Sequence, residues 1–221
     1  MDLIEAIQLR KSIRGYKPAP VPREVLKEII ELASRAPSSL NAQPWECTVV
    51  AGEVLAKIKQ ANMEHFASGV APHPDLSWHE RLTGVYRERQ VALGIQLFQL
   101  MGIAREDTEK KIEWTKKGFR FFDAPAAIII SIDESMRDVA QFDIGTITQT
   151  ISLAALHYGL GTCIQGQGLM YPDVIRKFTG IPESKRLSIN LAIGYPDWDC
   201  PANKVESERE SIESTTTWCG I

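Results

Sequence analysis

Residues 124–133, "APAAIIISID", carry three alanines and four isoleucines and show no polar alternation. A run of this length is far too short to cross a membrane. It reads instead as a β-strand buried on both faces, because a half-exposed strand would alternate apolar and polar residues. The 221 residues are long enough to enclose such a strand in one large domain, expected over 1–221.

Around this strand the periodicity is mostly helical. Leu3, Ala6, Ile7 and Arg10 share one face of a helix over 2–12. "VPREVLKEIIELASRA" (21–36) is a second helix, with Pro22 suited to its first turn and Val25, Ile29, Leu32, Ala33 and Ala36 as its apolar stripe. Further helices are expected over 53–66, within 78–104 and 105–118, and over 137–158 and 172–179, with Gly159 as a stop. Strands are expected at "ECTVVA" (46–51) and, as an alternating strand, at "RLSINLAIGY" (186–195); "GTCIQG" (161–166) reads as a short strand or turn. Helices outnumber strands and no strict βαβ rhythm is present, so the expected class is α+β.

Charge and cysteine usage narrow the function classes. A net charge of -3 argues against a broad nucleic-acid surface. The stretch "MDLIEAIQLRKS" is broken by acids and lacks the apolar core of a signal peptide. Cys47, Cys163, Cys200 and Cys219 show no CxxC spacing and read as free thiols in a reducing compartment. A cytoplasmic protein is the expectation. The Gly-rich "GLGTCIQGQG" has neither GxGxxG spacing nor a following GK[ST]. His65, His73, His79 and His157 lack ligand spacing with the cysteines, so no metal site is expected, and no GxSxG elbow is present.

Four polar features remain. "LRKSIRGY" (9–16) packs Arg10, Lys11, Ser12 and Arg14 into five residues, and "PSSLNAQPW" (37–45) is an ordered loop rich in donors and acceptors. The others are the turn "CIQGQ" (163–167) and the late cations Lys204 and Arg209. Singly each has a plain explanation: Lys11 complements a helix dipole, and Ser38, Ser39 and Asn41 end a helix. Together they suit a ligand with an anionic end and a flat heteroaromatic end. Guanidinium forks and a hydroxyl bind phosphate, and mixed amide and hydroxyl groups meet a heterocycle edge.

With these features in order, the sequence resembles the nitroreductase family of FMN-dependent oxidoreductases. The residues that carry the resemblance are "RKSIR" (10–14), "APSSLNAQPW" (36–45), "FDAPAAIII" (122–130), "DIGTITQTISLAALHYGLGTCIQGQ" (143–167) and "LAIGYP" (191–196). They run in order through residues 2 to about 210. The ending "GYPDWDCPANKVESER" is most similar to the nitrobenzoate-reductase-like branch.

The resemblance implies a mainly antiparallel sheet flanked by helices, in an intertwined homodimer with FMN at the interface. It also implies an extended arm, about 197–221, docking on the partner, which suits a polar tail ending in "TWCGI". FMN contacts carry over to Arg10, Lys11, Ser12 and Arg14, with Pro37, Ser38, Ser39 and Asn41 reaching the flavin of the second subunit. Gln165 and Gly166 carry over as backbone donors at the flavin edge. For the late phosphate ligand, Arg209 is the first choice and Lys204 the second, since Glu206 interrupts the family's basic pair.

The implied activity is ping-pong reduction of a nitroaromatic, quinone or similar electron-poor acceptor by NADH or NADPH, with flavin N5 and no side chain carrying the chemistry. Reductive dehalogenation or enone reduction on the same scaffold is the alternative, as is a non-catalytic flavin-storage protein. Acceptor choice is expected within 63–121. Trp78, Trp114, Phe119 and Phe121 lie there, although aromatics at helical positions are more often core.

Overall fold

The computed structural model describes residues 2–76, 82–136 and 139–221. The apolar run becomes β2 (Ala126–Asp133), buried at every residue but the last. Its position explains this. The four-stranded sheet has the order β1-β2-β4-β3, formed with β1 (Trp45–Ala51), β3 (Gly161–Gln165) and β4 (Lys185–Gly194), and all three pairings are antiparallel.

On one face Ile128, Ile130 and Ile132 meet Ile29 of α2 (Arg23–Ala33) and Ile144, Ile147 and Ile151 of α6 (Gln141–His157). On the other face Ala127 and Ile129 meet Leu55 and Ile58 of α3 (Gly52–Ala67), and Val174 and Ile175 of α7 (Pro172–Thr179). Successive residues of β2 therefore feed two different cores. Each fully buried isoleucine contributes about 1.5–3 kcal/mol of transfer free energy, so a polar residue at either phase would be costly.

β4 departs from the alternating strand expected of it: it is buried from Leu187 to its end. It lies between β2 and β3 with cores on both sides, so its polar residues Ser188 and Asn190 are interior. Asn190 donates through Nδ2 to the carbonyl of Gln165 at 2.7 Å.

The first helix is shorter than its periodicity suggested. α1 (Leu3–Leu9) starts where Asp2 accepts a hydrogen bond from the Glu5 N–H at 2.9 Å and ends at Arg10, whose backbone turns extended. Leu3, Ile4, Ile7 and Leu9 are exposed, and only Ala6 is buried. α4 (Gly84–Leu100) buries no residue at all, and α5 (Thr108–Phe119) ends in the buried Phe119. After Val205 the chain is a nearly fully exposed arm that includes α8 (Ile212–Thr215).

Loop 68–76 is tied to the core by the Tyr171 hydroxyl, which donates to the Val70 carbonyl at 3.0 Å, by the His73 N–H, which donates to the Met170 carbonyl at 3.0 Å, and by the Asp75 carboxylate. Asp75 takes both terminal nitrogens of Arg176, the shorter contact at 2.6 Å, and the Leu187 N–H at 2.8 Å.

Candidate functional site

After α1 the chain runs extended beside β3. Ser12 forms a parallel bridge with Thr162, and the Ile13 N–H donates to the Thr162 carbonyl at 2.9 Å. This approach needs Gly161, since a Cβ there would collide with the Ile13 side chain. Farther on, Tyr16 bridges Pro196. Between the two bridges the Arg14 N–H donates to Oδ1 of the buried Asn203 at 2.6 Å. Asn203 in turn donates through Nδ2 to the carbonyls of Gly15 and Asp197, both at 2.7 Å. The strip is thus clamped between β3 and the turn Pro201–Lys204.

Alternation along an extended strip puts Ser12 and Arg14 on one side and Lys11 with the buried Ile13 on the other. The chemistry around Cys163 agrees. Burial pushes that thiol's pKa up, against the opposing pull of Arg14, a hydrogen bond with Ser12 and the pull of Arg10. Tyr16 is raised well above its ordinary range, first by burial and then by Cys163, with Arg14 opposing. Ser12 therefore lies against β3 at Thr162, with the Arg10 and Arg14 charges near enough to act on the Cys163 thiol. Among the described residues, the side chains of Arg10, Lys11 and Arg14 are half-buried and make no ion pair or side-chain hydrogen bond with a carboxylate or carbonyl. Half-buried cations without counter-ions are poised for an anion from outside the chain.

Three residues on from the bridge at Thr162, β3 ends at Gln165, about 10 Å away at the usual strand rise of ~3.3 Å per residue. The Gln165 carboxamide is buried, yet among the described residues neither Nε2 nor Oε1 has a hydrogen-bond partner. Buried amides without partners are uncommon. Gly166 follows, half-buried, and its carbonyl accepts the Leu169 N–H at 2.9 Å. The cradle thus has a cationic end and an amide-lined end.

The loop after α2 forms a separate feature. Its backbone is left-handed at Leu40 (φ 51), Asn41 (φ 57) and Gln43 (φ 47), positions costly for residues with a Cβ. Several fixtures hold it. The Ser39 N–H reaches the buried Asp143 carboxylate at 3.2 Å, Thr146 Oγ1 donates to the Pro37 carbonyl at 2.8 Å, and Ser38 Oγ accepts the Gln43 N–H at 3.0 Å. Pro37, Ser39 and Asn41 are exposed, Ser38 is half-buried, and Leu40 is 100% exposed. Among the described residues no hydrogen bond or ion pair joins this loop to 10–14 or 165–166 of the same chain.

The late cations fare differently from one another. Lys204 is exposed and directly follows Asn203, on the turn that clamps Arg14. Arg209 instead folds back on its own arm, donating to the Ser207 hydroxyl at 2.7 Å and to the Ser207 and Glu208 carbonyls, both at 2.9 Å. Within one chain, then, the structure brings Arg10, Ser12, Arg14 and the 165–166 turn along one strand. It leaves the 37–41 loop and Arg209 apart from them. Sequence reasoning missed Asn203, Cys163 and Asp143, because their partners lie far away along the chain and no local spacing marks them.

Of the aromatics, Phe119 and Phe121 are core, and Trp114 packs on Phe122 with ring centroids 5.8 Å apart. Trp78 and His79 lie outside the described residues. Among the described residues, no group of three or more His, Cys, Asp or Glu side chains is placed to hold a metal ion, and no helix is long and apolar enough to cross a membrane.

Residues 7–195 match the profile of the Nitroreductase family. The chain is similar to a chloronitrobenzene nitroreductase of Comamonas testosteroni, 31% identical over 97% of this chain and 95% of that one. It is also similar to a 4-nitrobenzoate reductase of Pseudomonas putida, 30% identical over 100% of this chain and 96% of that one. Among solved structures, the FMN- and NADPH-dependent nitroreductase NfnB of Sphigopyxis sp. strain HMH superposes with a TM-score of 0.95 at 30% identity, covering 100% of both chains.

Proposed function

The chain belongs to the nitroreductase family, and from that premise we propose that it is an FMN-dependent oxidoreductase drawing electrons from NADH or NADPH to reduce a nitroaromatic or similar electron-poor acceptor. The observation that carries this reading is the placement of Ser12 against β3 with the Arg10 and Arg14 charges near Cys163. Among the described residues the Arg10 and Arg14 cations have no ion-pair partner, and a buried Gln165 carboxamide without a hydrogen-bond partner lies at the same strand's end. That donor set fits FMN.

Arg10, Ser12 and Arg14, with Lys204 from the clamping turn, hold the phosphate and ribityl oxygens; Lys11, expected from the sequence as a further contact, lies on the other side of the strip. Lys204 takes precedence over Arg209 because only Lys204 adjoins the clamp on Arg14. Gln165 and Gly166 face the ring end, where Gly166 has no side chain to obstruct close approach. When bound, FMN supplies two-electron chemistry at N5, coupling NAD(P)H oxidation to acceptor reduction in alternating, ping-pong half-reactions. The residues bind, orient and tune. Guanidinium groups in a half-buried site favour added negative charge on whatever they hold, through Coulomb attraction that water only partly screens.

The functional unit in this reading is a homodimer. Pro37, Ser38, Ser39 and Asn41 reach the site of the second copy, and the arm that wraps it begins after Val205 rather than at 197, because 197–205 packs on its own chain through Asn203. Supporting this are the exposed apolar side chains of α1 and the absence of any buried residue on α4, surfaces that a second copy would cover.

The deciding measurement is the visible spectrum of the purified protein, followed by release and identification of the chromophore. Stoichiometric FMN is expected. A colourless protein that FMN cannot reconstitute overturns the reading. Steady-state assays with a nitroarene, a halogenated phenol and an enone then rank the acceptor classes, with the nitroarene expected first.

A further inference from the structure

We propose that Asp143 and Thr146, on the first turns of α6, are positioning residues for the flavin, acting through the 37–41 loop. The inference rests on the FMN reading above, in which that loop contacts the cofactor. Its own basis is geometric.

Asp143 is 2% exposed, and its carboxylate takes the Ser39 N–H at 3.2 Å through one oxygen and 3.4 Å through the other. A buried carboxylate is costly unless hydrogen-bonded. It is affordable here because Asp143 stands in the first turn of α6, where the free N–H ends of the helix favour negative charge. Asp143 is carried by α6, so its carboxylate ties the loop at Ser39 to that helix. One turn on, the Thr146 hydroxyl holds the Pro37 carbonyl at 2.8 Å, with the Asp143 carbonyl as its other acceptor at 2.7 Å.

The two anchors bracket Ser38, and immediately beyond them the backbone is left-handed at Leu40 and Asn41. Such a backbone survives only where its surroundings over-determine it. The loop carries little apolar burial of its own, since Leu40 is 100% exposed. Its shape therefore depends on polar anchors. α6 also packs on the sheet through Ile144, Ile147 and Ile151, so the anchors transmit the rigidity of the core to the exposed loop.

The test combines a site-specific readout with a binding readout. Hydrogen exchange at the Ser39 amide and FMN dissociation constants of deflavinated protein are measured for wild type, Asp143→Ala, Asp143→Asn and Thr146→Val. Asp143→Ala is expected to speed Ser39 exchange and weaken FMN binding about tenfold, the scale of one charged hydrogen bond. Asp143→Asn keeps one acceptor oxygen and is expected to rescue most of both losses, and Thr146→Val to lie between.

If Asp143→Ala fails to fold by circular dichroism, Thr146→Val decides, since that side chain is half-buried rather than core. Unchanged Ser39 exchange in the folded variants overturns the proposal. So does accelerated exchange with unchanged FMN affinity, while leaving the cofactor reading intact. Wild-type protein that takes up no FMN overturns the cofactor reading and this proposal with it.

Discussion

Arg14 is fixed at its backbone by Asn203, and among the described residues its guanidinium has no ion-pair partner. Arg14→Ala should therefore leave the fold intact and weaken FMN binding tenfold or more, in keeping with ~1.5–3 kcal/mol for a hydrogen bond to a charged group. Arg14→Lys should restore only part of that affinity, because an ammonium cannot make the planar two-pronged contact; fluorescence titration of FMN measures both. A second expectation concerns the thiols. Burial pushes Cys47 from its ordinary 9.0 to about 11, and it also raises the Cys163 thiol. An acid whose folded pKa is raised keeps its proton longer folded than unfolded, so Cys47 subtracts stability as pH rises from about 9 to 11. Urea midpoints should fall across that window, and less steeply in Cys47→Ala. At pH 9 a thiol reagent should label the exposed Cys219 quickly and Cys47 and Cys163 only slowly.

Among elements, loop 68–76 offers the sharpest stability test. Asp75→Ala removes the mostly buried partner of Arg176 and the acceptor for the Leu187 N–H. Breaking a buried pair on one side typically costs about 3–5 kcal/mol. Because both side chains keep 17% exposure, the expected loss lies at the low end of that range, read as a lower urea midpoint. The elements also show what the sequence could reveal. β2 was legible because burial on both faces leaves a nearly continuous apolar signature, interrupted before its last residue only by Ser131. The 37–45 loop was legible because Pro, Ser and Asn serve turns. The boundaries of α1 and the interior polar residues of β4 were not, since neighbours in space decide them. Ser12 lies beside Thr162, and Arg14 beside Asn203, through tertiary pairing alone. For the same reason the family resemblance, in which Glu206 interrupts the basic pair, gave Arg209 ahead of Lys204, without access to the tertiary bond from Arg14 that sets Lys204 beside Asn203.

At the scale of the whole molecule, the apolar side chains that α1 and α4 leave uncovered predict a native mass near twice 24.7 kDa by sedimentation equilibrium. Deleting 206–221, a segment with almost nothing buried, should leave helical content nearly unchanged and shift that equilibrium toward monomer. The bond from Arg14 to Asn203 joins residues 189 apart in sequence. During vectorial synthesis the arginine strip therefore emerges well before its clamp. A nascent chain halted before Asn203 can already contain every strand of the sheet while its anion cradle stays open on one side. The sheet and the clamp on the arginine strip are therefore completed at different points along the chain.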